Sequence, residues 1–349
     1  MISNKFQSLL FLLITILIAI SIGGFLFSEF KEFEKEISFS QISTPYLEER
    51  DNLISLILVG DIMLDRGVEY MIEKQGSGDY NAEGGISGKT SYKFPFSKIN
   101  DYLKRADVLF GNLEGPISDK GVKVGSIYSF RNNPKAIEGL VFSGFDILSV
   151  ANNHIFDYGR KAMEDTFLRL KEAKIDYVGA GFNEKEAHSS LIKEIKGIKI
   201  AFLGYTNLGS EYWSAKGEKS GIAWLNEDNL KKDINSAKNQ ADLVVVSMHF
   251  GDEYMDLPNS EQKFFAHLAV DSGADLVLGH HPHVIQPIEQ YKTGFIAYSL
   301  GNFIFDQGFS EKTMKGLILK VLIEDDKIKE LIPLEIKINQ YFQPEISNQ

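Results

Sequence analysis

Between residues 53 and 301 the sequence repeats one pattern: a short apolar run that stops at a polar cluster. The runs are LISLILV (53–59), DVLF (107–110), DILSV (146–150), IKIAFLG (198–204), DLVVVSM (242–248), DLVLG (275–279) and FIAYSLG (295–301). Apolar runs of about four to eight residues read as buried strands. Helical patterns lie between them. In KAMEDTFLRLKEAK (161–174), Met163, Phe167 and Leu170 share one helix face. PNSEQKFFAHLAVDSG (258–273) offers Asn259 or Ser260 as N-cap, Gln262 for a capping box and Gly273 as a stop. Strands alternating with helices build a layered α/β fold on a largely parallel sheet. Such sheets gather ligand sites at the carboxyl ends of their strands.

That rule locates the chemistry. Gly60-Asp61-Ile62-Met63 follows the first run, Gly111-Asn112-Leu113-Glu114 the second, and Ala151-Asn152-Asn153-His154, then Asp157, the third. His249-Phe250-Gly251-Asp252-Glu253 and Gly279-His280-His281-Pro282-His283 follow two more, so five of the seven histidines stand at strand ends. Carboxylates, an amide oxygen and neutral imidazoles suit a divalent ion such as Mn, Fe or Zn. A shared carboxylate can also hold two ions about 3.5–4 Å apart. A glycine before a ligand is expected to let the chain turn sharply. His188, in a polar stretch, and His267, inside a helix pattern, receive no role.

Composition excludes several classes. With 44% hydrophobic and 24% charged residues the chain is globular, neither disordered nor fibrous. A net charge of −11 argues against a nucleic-acid partner. The absence of cysteine removes disulfides, thiolate metal sites and a lipidated N-terminal Cys, so a metal shell must be oxygen and imidazole. Ser8 to Ser28 carries no charge. About 20 apolar residues suffice to cross a bilayer, against about 7–15 in a signal-peptide core. Residues 1–28 are therefore expected to be a retained membrane anchor or a cleaved signal, with 29–52 a juxtamembrane spacer and 53–340 one domain outside the cytoplasm. The Gly-rich stretch 74–92 reads as a surface loop, as does 207–221, where Tyr212 and Trp213 lie beside a substrate or pack locally. Ala297-Tyr298-Ser299-Leu300-Gly301 approximates a nucleophile elbow, but no histidine follows His283 to complete it. Residues 83–90 approximate a P-loop that lacks its first glycine and its preceding strand.

The segments GDIMLDRGV, GNLEGPIS, SVANNHIFDYG, MHFGDEY, GHHPHVIQP and YSLGNFIFD resemble the bacterial capsule synthesis protein CapA family, which is linked to poly-γ-glutamate. Their order is similar to the wider calcineurin-like metallophosphoesterase pattern D-x-H, G-D-x-x-D, G-N-H-E/D, H and G-H-x-H. Over about residues 54–310 the resemblance implies a four-layer α/β/β/α sandwich. It implies Asp61 as a metal carboxylate, Glu114 as the bridge and Asn153 as the amide ligand, with His249 and two of His280, His281 and His283 completing the shell. His154, with Asp157 beside it, takes the place of the acid or charge stabiliser at the leaving oxygen. Arg66, Arg131 and Asn302 match family-like segments, and the arginines suit a carboxylate or phosphate of a substrate or a structural ion pair.

Three positions depart from the wider pattern. Met63 stands where it has a metal-binding His, Glu114 replaces an Asp, and His280 and His281 compete for one role. The implied function is a metal-dependent hydrolase using a metal-activated water on a phosphoester or an anionic polymer. The partners this implies are the cell membrane and, as an expectation, membrane capsule synthetase subunits. Met63 favours the alternative, a non-catalytic polymer-binding or assembly subunit.

Overall fold

All seven apolar runs enter strands, because Val, Ile, Leu and Phe fill both faces of sheets covered on each side. The computed structural model describes residues 53–75, 91–125 and 127–347. The expected anchor or signal (1–28), the spacer (29–52) and most of the Gly-rich stretch lie outside the described residues. In chain order the strands are β1 (Ile54–Ile62), β2 (Val108–Leu113), β3 (Ile147–Ser149), β4 (Asp176–Val178), β5 (Ala180–Gly181), β6 (Leu191–Ile195), β7 (Ile198–Thr206) and β8 (Gly221–Ile222). They continue as β9 (Leu243–His249), β10 (Leu276–His280), β11 (Ile288–Tyr291), β12 (Gly294–Ala297), β13 (Asn302–Ile304), β14 (Lys315–Glu324), β15 (Lys327–Ile338) and β16 (Pro344–Ile346).

Two sheets dominate. One has the order β16-β15-β14-β1-β2-β3-β4, with β13 also pairing β1; the other runs β11-β12-β10-β9-β7-β6. The expectation of a largely parallel sheet needs correction, because both are mixed. β1 to β4 run parallel, but β14, β15 and β16 join antiparallel, as do β6 and β11 at the edges of the second sheet. The cause is local. Asp325 and Asp326 close β14 onto β15 with φ of 50° and 63°. A two-residue turn with positive φ at both positions matches the strand twist and makes an antiparallel hairpin.

Alternation along the strands sorts side chains between layers. Leu56 and Leu58 of β1, with Phe110 and Ile147, meet Phe202, Val245, Leu276 and Leu278 of the other sheet in a shared apolar cluster. Phe110 and Phe202 stack across it at 6.0 Å. Ile57 and Val59 face the other way, toward Val68, Ile72, Leu140, Met163 and Phe167 from helices Arg66–Gln75, Ala136–Ser143 and Gly159–Glu172. Val244, Val246 and Val277 likewise meet Leu230, Ile234, Ala266 and Ala269 of helices Glu227–Lys238 and Ser260–Asp271. The layers thus follow the order helix, sheet, sheet, helix. Asn259 caps the last of these helices in a capping box with Gln262.

Candidate metal centre

The expected ligands converge where the carboxyl ends of β1, β2 and β3 meet those of β9 and β10. Asp61 is in register with Asn112 of β2 and Asn302 of β13, and His249 is in register with His280. Contacts that bridge the sheets include Asp61 Oδ1 to His280 Nδ1 at 3.4 Å and Asn153 Oδ1 to His249 Nε2 at 2.9 Å. One ligand atom each from Asp61, Glu114 and His249 lies within 4.8 Å of the others, and the same holds for Glu253, His281 and His283.

The backbone explains how so many polar groups crowd together. Asp61 N–H donates to the Gly301 carbonyl at 3.0 Å, and a Cβ on Gly60 would overlap that oxygen. Gly60 therefore serves close approach of two chains and makes no left-handed turn, unlike the expectation for this position. The left-handed turns fall on the ligands, with φ of 96° at His281 and 57° at His283. Such conformations cost about 1–3 kcal/mol each and persist where surrounding contacts impose them.

Hydrogen bonds orient most of the cluster. Asn112 Nδ2 donates to Asp61 Oδ1 at 2.8 Å and approaches His249 Nδ1 at 3.3 Å, which leaves the proton of His249 on Nε2, facing Asn153. The His281 backbone N–H donates to Asp61 Oδ2 at 3.2 Å. His154 Nδ1 donates to Asp157 Oδ2 at 2.7 Å, and the same oxygen accepts from Phe130 N–H at 2.8 Å. The Phe130 ring lies 4.0 Å from the His154 ring, so His154 Nε2 points inward, 3.7 Å from Glu114 Oε1.

What is left unpaired is informative. Ten buried side-chain polar atoms lack a hydrogen-bond partner among the described residues. Five of them are Glu114 Oε1 and Oε2, His280 Nδ1 and Nε2, and His281 Nδ1. Buried polar groups are normally satisfied, and an unsatisfied one costs about 1–3 kcal/mol. Five in one place, all metal-ligating types, fit a divalent cation.

The electrostatics agree. Burial pushes Asp61 up, but the His280 and His283 imidazoles beside it, at 3.4 and 3.3 Å, outweigh burial and hold it well below the usual carboxylate range. Burial pushes the Glu114 carboxyl well above that range, and the Asp61 charge adds to the effect. Burial, then the neighbouring His281, drives His249 well down, and burial takes His281 to about 3. Both are neutral at pH 7, as metal ligation needs. Burial pushes His283 down, but Glu114 and Asp61 outweigh it and raise it to about 9.

Other expected residues have different surroundings. Met63 is fully buried in the apolar core, and its Sδ accepts from Asp65 N–H at 3.2 Å. Asn302, expected at a substrate, is fully buried and fully engaged. Its Oδ1 meets His283 Nδ1 at 2.9 Å, and its Nδ2 donates to Gln307 Oε1 and Thr313 O. It therefore orients His283, with no polar group left for a ligand. Arg66 forks onto Asp306 and lies over the Phe130 ring at 4.7 Å. The Arg131 guanidinium lies over the Tyr158 ring at 4.3 Å with no carboxylate partner among the described residues, while its backbone N–H donates to Asp65 Oδ2 at 2.7 Å. Trp213 stacks on Phe156, whereas Tyr212 is exposed.

Sequence reasoning gave no role to Asn112, Asn132, Asn152 or Glu253, although three of them stand at the strand ends it singled out. Asn152 Nδ2 holds Leu113 O at 2.8 Å, and Asn132 donates to the carbonyls of Glu114 and Gly115, fixing the loop that carries Glu114.

Residues 55–307 match the family described as bacterial capsule synthesis protein PGA_cap. The chain is 34% identical over 309 residues to the capsule biosynthesis protein CapA of Bacillus anthracis, covering 84% of this chain and 70% of that one. It is 34% identical over 271 residues to the PGA biosynthesis protein CapA of Bacillus subtilis, covering 77% and 67%. A probable polyglutamine synthesis accessory protein of Mycobacterium tuberculosis is 27% identical over 286 residues, with 73% and 75% covered. Among solved structures, a 5′-nucleotidase precursor from Thermus thermophilus matches with a TM-score of 0.48 and 12% identity, over 84% of this chain and 56% of that one. The NAD nucleotidase of Haemophilus influenzae gives 0.44 and 14%, over 85% and 54%.

Proposed function

The chain belongs to the bacterial capsule synthesis protein PGA_cap family, and from that premise we propose that it is a metal-dependent hydrolase of capsule synthesis, acting on an anionic polymer or a phosphoester. Residues 1–28 hold it at the cell membrane, with the domain outside the cytoplasm beside the synthetase subunits that make the polymer. The observation that carries the catalytic reading is the group of five unpartnered, buried ligand atoms on Glu114, His280 and His281.

Asp61, Glu114, Asn153 and His249, together with His280, His281 and His283, would hold one or two divalent ions, of the Mn, Fe or Zn kind. A bound ion supplies Lewis acidity, making water a competent nucleophile near neutral pH and offsetting substrate charge. The protein's own groups do the rest. Asp157 holds the His154 Nδ1 proton through the 2.7 Å bond, so Nε2 is the nitrogen that faces the site, and the doubly protonated ring can give its Nε2 proton to the leaving oxygen. Phe130 keeps that ring in plane and shields one face from water. Arg131, next in sequence to Phe130, offers a guanidinium for a carboxylate or phosphate. It helps offset the repulsion an anionic substrate meets from a chain of net charge −11.

The test is hydrolysis of p-nitrophenyl phosphate and its bis-ester by the full chain, with and without Mn2+, beside His154→Ala and Asp61→Ala. Metal-dependent turnover lost in both variants supports the reading; turnover equal to the variants sinks it. A second reading, a non-catalytic assembly subunit, draws on the burial of Met63 in the core, which removes a ligand from one ion position. Restoration of polymer in a deletion strain by the inactive variants would favour it.

A further inference from the structure

Position 63, where the wider pattern has a histidine, gives the centre no donor, because the Met63 thioether is turned into the core against Asp65 N–H. A replacement comes from a different strand. Glu253 lies in the loop after β9, and its Oε1 is 4.0 Å from His283 Nε2. One ligand atom each from Glu253, His281 and His283 falls within 4.8 Å of the others. His281 Nδ1 is buried and has no hydrogen-bond partner.

The loop is built to hold this position. Phe250 N–H donates to His280 O at 3.1 Å and Tyr254 N–H to Pro282 O at 2.8 Å, so residues on both sides of Glu253 are tied to the histidine loop. Gln286 Nε2 donates to Met255 O at 2.8 Å, and Tyr254 takes a left-handed φ of 64° that turns the chain there. Gly251 turns it on the other side with φ of 94°. A carboxylate held by its backbone beside two imidazoles has the donor types a borderline divalent cation takes.

We propose that Glu253 is a metal ligand, binding a divalent cation together with His281 and His283 and supplying the donor that Met63 does not. The proposal rests on the metal-dependent reading above and extends it to a residue outside the expected set. The carboxylate reaches these histidines from the neighbouring strand end of their own sheet, after β9, whereas position 63, after β1, offers no donor.

The experiment is calorimetric titration of the full chain in detergent with Mn2+, with bound metal counted by elemental analysis. Wild type, Glu253→Gln and Glu253→His are compared. Glu253 is partly exposed on a loop, so each variant is expected to keep the wild-type circular dichroism. Glu253→Gln should weaken Mn2+ binding by about tenfold or more, while Glu253→His, which replaces one donor with another, should return it close to wild type. Unchanged affinity and stoichiometry in Glu253→Gln overturns the proposal. So does a Glu253→His variant as weak as Glu253→Gln, since the carboxylate would then act only as a nearby charge. A wild type that binds no Mn2+ overturns it together with the reading it rests on.

Discussion

Replacing Glu114 with methionine separates the cost of holding the site from its use. The two side chains are similar in length and volume, Glu114 is fully buried, and neither of its oxygens has a hydrogen-bond partner. Leaving such a group unpaired costs about 1–3 kcal/mol. Glu114→Met should therefore stabilise the metal-free chain by about that amount, or roughly 2–12 °C at about 2–4 °C per kcal/mol for a domain of this size. The pH dependence follows from the raised carboxyl. Burial makes the folded state hold this proton more tightly than the unfolded state does. The contribution is fully present below the unfolded pKa of about 4.3 and is lost as pH rises through the folded value. The advantage of the variant should thus widen from pH 5 to pH 8. Mn2+ at a hundred times its Kd adds about 2.7 kcal/mol to wild type, whereas the variant should gain little. Thermal unfolding followed by circular dichroism, in EDTA and in Mn2+ at both pH values, reads all of this. A variant less stable than wild type in EDTA at both pH values would refute the reasoning, because Glu114 would then be serving the fold.

Three further outcomes are expected. His283, raised to about 9, carries a proton at pH 7, so Mn2+ binding through its ring should release that proton, and affinity should climb until pH passes about 9. Titration calorimetry in two buffers of different ionisation enthalpy measures this, and proton-free binding at pH 7 would contradict it. Asn302→Leu, which frees the His283 ring, should weaken metal binding by about 10–100-fold while the fold persists, read by the same titration with circular dichroism as control. Gly60→Ala forces a Cβ onto the Gly301 carbonyl and should destabilise by about 1–3 kcal/mol in urea unfolding.

The strand ends were legible because a parallel strand buried on both faces leaves only its carboxyl end for polar groups, so Asp61, Glu114, Asn153 and His249 stood out. The capping box of Asn259 and Gln262 was legible because its chemistry is local. The β14–β15 hairpin was not, because Asp325-Asp326 lacks the glycine that usually marks a two-residue turn and Pro333 within β15 argues against a strand. Identity alone also failed to separate His280 from His281. They differ in backbone angle and in which sheet neighbour each meets. Asn302 carried a family-like signal, but its engagement with His283 depends on β13 lying beside β1, a pairing no local pattern announces. Glu253 sat in a segment already singled out. Its part in the site becomes visible only through the hydrogen bonds that bring its loop to His283.

The central claim is that this cluster is a cation site. Elemental analysis of the full chain, purified without chelator and then dialysed against Mn2+, tests it most directly. At least one divalent ion per chain is expected, lost when Asp61→Asn and His281→Ala are combined. A wild-type chain that stays metal-free after dialysis, or a double variant that keeps the full complement, would contradict it.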